Sequence, residues 1–526
     1  MSKISRCRRW ELSRAAGVFS LTKKVNKMLS SGISVEDASP KALVTPVVTD
    51  PTPAHVLFVT SEIADLSKAG GLGEISAYLP RVLRRHGGDV RVMIPGYRAV
   101  IEKVQDMAIL ADLPGLHGVP ACRIGLWHAD DGLPIFVVLC PELYDREGSP
   151  YGDACGEAFG DNDVRFARLA LAAAELVAGV AGIDWPVDLV HVNDWPSAMT
   201  PAYMAWRGIT RPSILTVHNL AYQGVFDRRR APVLGVPDSA FQIEGVEFHG
   251  QLSFMKAGLF YASHVTTVSP TYAREIQTPE MGCGLEGLLR RRANDGQLTG
   301  ILNGIDDSYD PRNDPHLRHH FDSENLAGKA ANAAEVRLAF GLKDHTGPLF
   351  ALVSRLVHQK GVDLVVEASS SILRQGGQVV SIGQGEPHLE AAMENLADRH
   401  PGQVGVKIGF EETLARRMYA GSDFLLMPSR FEPCGLGQMY AQRFGSLPIA
   451  RKTGGLVDTV QDSVTGFLFE TASASGLRRC IDRAISAFRS SHGLDRMKSA
   501  AMERPAGWYA AGERYQSVYR RAAAGS

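Results

Sequence analysis

Short stretches of this sequence carry the residue types needed to hold an anionic leaving group beside a polyhydroxylated substrate. Lys68-Ala-Gly-Gly-Leu-Gly73-Glu74 follows the apolar run HVLFVTSE at 55–62. Adjacent glycines such as Gly70 and Gly71 let backbone N–H groups approach an anion, and Lys68 adds a mobile positive charge. The stretch is neither the G-x-G-x-x-G fingerprint nor a Walker A loop, whose lysine follows its glycines. By itself such a turn serves structure as often as ligand. Arg355 stands near the end of another apolar run, LFALVSRL at 349–356, and Lys360 follows five residues on. Two cations at one strand mouth suit a diphosphate that gains negative charge as it leaves.

The segment PSRFEPCGLGQMYAQRFG at 428–445 follows the strand-like Phe424-Leu-Leu-Met427. Leu436, Met439, Tyr440 and Phe444 recur at helical spacing, so a helix is expected to start near Gly435 with free N–H groups. Pro433 fixes the turn, and Gly435 permits close approach. Glu432 then projects at the mouth, where a carboxylate accepts hydrogen bonds from sugar hydroxyls. The competing reading is that Glu432 only favours the helix N-terminus. Gly454-Gly455, after the next strand, makes a second tight turn beside the same place. The whole stretch reads as a nucleotide-sugar pocket. Asp194-Trp195 ends DLVHVND, and His218-Asn219 ends SILTVHN. A histidine there is as readily structural as catalytic. Asp161-Asn-Asp163 spells D-x-D, but it precedes a helical pattern and reads as a cap rather than a metal site.

The elements that must position these groups alternate along the chain. Nearly continuous apolar runs at 55–62, 90–96, 134–140, 188–194, 213–219 and 264–270 end in small or polar residues. Strands covered on both faces read this way, which predicts a parallel sheet in a doubly wound α/β domain. A second series follows at 349–356, 378–385, 404–410, 423–429, 447–451 and 466–470. The polar stretch 303–345 lies between, so the division is 54–302 and 303–502, with the helical 503–526 packing back on the first part. Two such halves facing each other make a cleft lined by strand ends.

Composition narrows the function. Lys and Arg number 56 against 57 Asp and Glu, a formal net charge of -1. That balance argues against a general nucleic-acid or membrane-surface binder. The seven cysteines include no C-x-x-C, which fits a reducing, cytoplasmic setting without disulfides or zinc. Residues 1–53 begin with a basic segment and continue into a Ser/Thr/Pro linker. A disordered tail or an over-long gene start is the preferred reading, and an organelle transit peptide is the alternative.

Together SEIADLSKAGGLGE (61–74), LYDREGSPY (143–151), TVHNLAYQGVF (216–226), LNGID (302–306), VSRLVHQKGVDL (353–364) and PSRFEPCGLGQMYA (428–441) resemble the bacterial glycogen/starch synthases. These are retaining glycosyltransferases with two Rossmann-like domains, the GT-B fold. The resemblance covers roughly residues 54–520. It implies transfer of glucose from ADP-glucose to the 4-OH of an α-1,4-glucan such as glycogen, without metal or other cofactor. It implies that Lys68, Gly70 and Gly71 form the nucleotide-sugar loop and that Arg355 and Lys360 grip the diphosphate. Glu432, Cys434, Gly435 and Leu436 then hold glucose and phosphate, with Asn303, Gly454 and Gly455 nearby. His218 and Asp194 line the reaction side, and Glu74 and Tyr144 face the acceptor. A front-face displacement fits the lack of a carboxylate nucleophile. The chain departs from the family at Glu74 (usually Asp), Gly437 (usually Thr) and Asn193 (often His). A glucan-binding scaffold of the same fold is the rival. A phosphorylase would need a pyridoxal lysine, for which no signature is found. Oligomeric state is not legible.

Overall fold

The computed structural model describes residues 54–525. The expectation for residues 1–53 lies outside them.

Strands of the first half are β1 (His55–Val59), β2 (Asp89–Pro95), β3 (Ala108–Leu113), β4 (Cys122–His128), β5 (Pro134–Leu139), β6 (Leu189–Asn193) and β7 (Ser213–Val217). A small antiparallel sheet of β8 (Val225–Phe226), β9 (Glu247–Phe248) and β10 (Gln251–Ser253) follows, then β11 (His264–Thr267) and β12 (Leu298–Gly300). The main sheet is nine-stranded, in the order β12-β11-β7-β6-β1-β2-β5-β4-β3. It is parallel from β12 to β5, and β4 and β3 continue it as an antiparallel arm.

The second half holds β13 (Leu349–Val353), β14 (Gln378–Gly383), β15 (Val404–Ile408), β16 (Phe424–Met427), β17 (Leu447–Arg451) and β18 (Phe467–Phe469). Its order, β15-β14-β13-β16-β17-β18, is that of a Rossmann sheet, parallel throughout. Both sheets therefore have a point where chain direction across the sheet reverses. In the first it falls between β1 and β6, in the second between β13 and β16. Crevices form at the carboxyl ends there, because the connecting helices depart to opposite faces.

All twelve runs read from the sequence as strands contain one; central strands such as β6 and β7 are buried at every residue, while the edge strand β15 ends exposed. The antiparallel β3 and β4 were missed. β3 is exposed or half-buried except at its last residue and β4 mixes buried and exposed residues, so neither carries the continuous apolar run of a central strand.

The chain crosses back at its end. Ile305 donates its N–H to Ala506 O at 2.8 Å, and the helix Tyr509–Ala524 lies on the first half. Gln516 Nε2 donates to His86 O at 3.0 Å, and the Tyr519 hydroxyl meets His191 Nδ1 at 2.8 Å. Tyr515 and Tyr519 are buried as the helical pattern requires, whereas Tyr509 is exposed.

Candidate active site

At the second sheet's reversal point two loops are fastened to each other. Arg430 N–H donates to Gln359 O at 2.8 Å, and its guanidinium grips the Asp363 carboxylate at 2.8 and 2.6 Å. A Cβ at Gly361 would stand 2.3 Å from Pro428 O, so only glycine lets the loops lie this close. This fastening brings Lys360 Nζ to 2.5 Å from Glu432 Oε2, which also accepts from Ser429 Oγ at 3.0 Å. The other Glu432 oxygen takes no hydrogen bond among the described residues. Glu432 is buried and Lys360 half-buried. Burying such a pair is tolerable only because each charge neutralises the other. Arg355, on the same mouth, is exposed, and its guanidinium has no ion-pair partner among the described residues.

The helix expected near Gly435 runs Gly437–Arg443, with Leu436 at its N-cap. Gly435 has φ +73°, a left-handed conformation that a side chain would strain. The N–H groups of Gly435, Leu436 and Gly437 take no partner among the described residues. At Gly437 an added Cβ would meet Tyr419 Oη at 3.6 Å and Met427 Cε at 3.8 Å, ordinary contacts. The absent threonine of the family therefore leaves room, not a clash.

The structure corrects the sequence reading at Gly454, Gly455 and Cys434. Gly454 N–H donates to the Glu275 carboxylate at 3.0 Å, and Gly455 N–H to Glu432 O at 3.1 Å. Cβ atoms there would stand 1.9 Å from Glu432 O and 2.2 Å from Cys434 O. Both glycines serve close packing of protein on protein, with their donors already used. The Cys434 thiol is buried near Asn303, and burial pushes its pKa up to about 12. Asn303 Oδ1 has no partner among the described residues. Ser269 Oγ of the first half donates to Pro433 O at 2.6 Å, locking the same turn from the other side.

At the first sheet's reversal point the groups are held by backbone. Asp194, the residue after β6, has φ +53°, a conformation that costs an aspartate free energy and is often retained at sites of function. Its Oδ1 accepts His218 N–H at 2.7 Å, and burial pushes its carboxyl up to about 7. His218 is buried, with Nε2 2.9 Å from Asn193 Oδ1, and burial lowers its ring to about 3. Across from them, Glu62 was missed by the sequence reading. Its Oε2 accepts Ala69 N–H at 2.6 Å and Gly70 N–H at 2.8 Å, while the Tyr151 hydroxyl donates to Oε1 at 2.5 Å. Of the two glycine amides expected to meet an anion, that of Gly70 is thus committed to Glu62. Around Gly70 and Gly71 the space is open, with nothing within 4 Å of an added Cβ. Lys68 pairs with Glu74.

Tyr144 does not reach an acceptor: it is buried and donates its hydroxyl to Arg165 O at 2.7 Å. Nor does the Asp161-Asn-Asp163 sequence cap by side chain. Asp161 occupies the N-cap position, but its carboxylate takes Arg146 at 2.6 and 2.7 Å, and Asp163 pairs with Arg230. A cavity of about 400 Å³ lined by Arg211, Tyr261, His264 and Arg521 lies at the opposite, amino ends of β7, β11 and β12. It belongs to no part of this cleft.

Comparison with known proteins decides the family. Residues 55–291 match the model described as starch synthase catalytic domain, and residues 338–500 that of glycosyl transferases group 1. A glycogen synthase of Pseudomonas aeruginosa is 57% identical over 467 residues, covering 89% of this chain and 91% of that protein.

The chain belongs to the glycogen/starch synthase family.

A glycogen synthase of Xanthomonas campestris is 55% identical, covering 89% of this chain and 98% of the relative. Among solved structures, the catalytic domain of starch synthase IV from Arabidopsis thaliana, bound to ADP and acarbose, matches with TM-score 0.81 at 30% identity. The match covers 90% of this chain and 100% of that one. Sucrose-phosphate synthase from Thermosynechococcus elongatus matches with TM-score 0.57 at 17% identity, which speaks for the shared fold alone. The architecture is GT-B, and the chain is a glycosyltransferase. No helix among the described residues is long and apolar enough to cross a membrane.

Proposed function

We propose that this glycosyltransferase uses ADP-glucose to extend an α-1,4-glucan at its non-reducing 4-OH, with retention at the anomeric carbon. The observation that carries the reading is the Lys360–Glu432 pair, held at one reversal point beside the unpaired Arg355. Arg355 and Lys360 bind the diphosphate, and Lys360 divides its charge between phosphate and Glu432. Glu432, through its uncommitted oxygen, accepts hydrogen bonds from glucose hydroxyls. Phe410, exposed at 64% just past the carboxyl end of β15, offers a flat apolar face for the nucleotide base.

As the glucose–phosphate bond breaks, its electron pair passes to the diphosphate, where the cations stabilise the added charge. The incoming 4-OH attacks from the same face and its proton moves to the departing phosphate oxygen. Side-chain cations take the place that a metal fills elsewhere, so the reaction is expected to run in chelator. A cytoplasmic setting agrees with the six cysteines among the described residues, all free.

Incorporation of labelled glucose into glycogen, with ADP-glucose and UDP-glucose compared in chelator, tests this. Chelator-resistant incorporation dependent on ADP-glucose is expected. Loss of activity in chelator, restored by a divalent cation, would overturn the metal-free part. Preference for UDP-glucose would overturn the donor.

A further inference from the structure

His218 has an acceptor atom with no partner, and the reason lies one strand away. Asn193, the last residue of β6, donates from Nδ2 to Val59 O at 3.1 Å. A carbonyl can only accept, so the amide nitrogen must face it, and the amide oxygen must face His218. Asn193 Oδ1 stands 2.9 Å from His218 Nε2. An oxygen there requires a proton on Nε2. The Asn193 backbone is fixed as well: its N–H donates to Ser197 Oγ at 2.7 Å, and Ser197 Oγ donates back to Asn193 O at 2.8 Å. Turning the amide over would set its oxygen against the Val59 carbonyl oxygen and break the bond from Nδ2. The second ring nitrogen, Nδ1, is buried without a partner among the described residues. A buried, unpaired acceptor costs free energy, and binding of a hydroxyl would recover it.

We propose that Asn193 is a positioning residue that fixes His218 as the neutral Nε2–H tautomer and so presents Nδ1 as a hydrogen-bond acceptor to a sugar hydroxyl of the bound substrate. This rests on the reading of the cleft as the site of glucosyl transfer. An acceptor of this kind orients a hydroxyl without adding a positive charge next to an anomeric carbon that is itself becoming positive. An imidazolium in the same place would donate where acceptance is needed and would oppose that charge.

The titratable groups around the ring are few. Asp194 binds the His218 backbone N–H, His191 lies behind it on β6, Glu62 acts electrostatically on Asp194, and Asp194 in turn raises Tyr272. Of these, His191 is held neutral by burial, which lowers it to about 3.

The test reads the ring directly. In protein labelled with 15N-histidine, the His218 signals are assigned by their loss in His218→Asn. The expected result is a protonated Nε2 and a bare Nδ1 that persist from about pH 5.5 to 8.5, the range in which an ordinary histidine titrates. A proton on Nδ1, or a mixture of tautomers, would overturn the proposal without reference to what the enzyme transfers. In Asn193→Asp a carboxylate faces Nε2–H, so imidazolium should appear at pH values where the parent ring is neutral. Turnover should then fall about tenfold at the acid end and recover toward alkaline pH, with the KM for donor changing much less. Asp194 titrates in both proteins, so the difference between the two profiles is what counts. Equal loss at every pH with a neutral ring would reduce Asn193 to a structural part and defeat the idea.

Discussion

The two reversal points do opposite things with charge. At the second sheet, Lys360 and Glu432 form an ion pair and Arg355 stands beside them unpaired. At the first, burial pushes Asp194 up to about 7 and His218 down to about 3, so both groups move toward neutrality. Their hydrogen bonds go largely to backbone: His218 N–H to Asp194, Ala69 and Gly70 N–H to Glu62. One fold, used twice, thus supplies a wall built on an ion pair and another whose buried Asp194 and His218 are pushed toward neutrality. A transfer that expels a diphosphate from a sugar needs this division. Negative charge collects on one side, and on the other hydroxyls must be oriented without a competing ion.

The largest expected effect comes from breaking the charged wall. Glu432→Gln should lower turnover by at least about 100-fold, the scale set by losing a well-placed electrostatic contact, with ADP affinity nearly unchanged. Steady-state kinetics beside calorimetric ADP titration would show it, and near-normal turnover would remove Glu432 from its role.

A smaller effect should come from the neutral wall. The folded protein binds the Asp194 proton more tightly than the unfolded chain, whose carboxyl has a pKa of about 3.9. The cost of holding Asp194 ionised therefore grows as pH rises from that value and is complete above about 7. Asp194→Asn keeps the left-handed backbone, which asparagine tolerates, and removes the charge. Its melting temperature should exceed the parent's in alkaline buffer, and the difference should close in acid. A constant difference at all pH values would mean that Asp194 is not desolvated as described.

The smallest effect marks where the neutral wall ends. Tyr144→Phe should cost about 1 kcal/mol of stability through the lost bond to Arg165 O. Turnover and the KM for glucan should stay at the parent values. A weaker hold on glucan would return Tyr144 to the acceptor side.

The fold was legible because its evidence is local. A central strand such as SILTV shows in any five-residue window, and twelve of these runs in two series imply two sheets. The cations and Glu432 were legible for a related reason: each directly follows such a run, where parallel sheets place their ligands. What escaped depends on partners distant in sequence. Glu62 is separated by 89 residues from Tyr151, and nothing near either announces the pair. Gly454 and Gly455 looked like ligand glycines because tight turns share one signature. Only the close approach of Glu432 O and Cys434 O distinguishes protein packing from ligand approach. Tyr144 sits on a four-residue helix whose buried face is set by Arg165, and a single tyrosine carries no periodicity to reveal that.

The division between the walls is tested most directly by titrating ADP calorimetrically into the parent protein, Arg355→Ala and His218→Asn. Removing Arg355 orphans no partner, since its guanidinium pairs with nothing among the described residues. ADP affinity should fall by about tenfold or more in Arg355→Ala, as for one lost charge-assisted contact, and should hold within about twofold in His218→Asn. Equal weakening in both variants, or none in Arg355→Ala, would contradict the account.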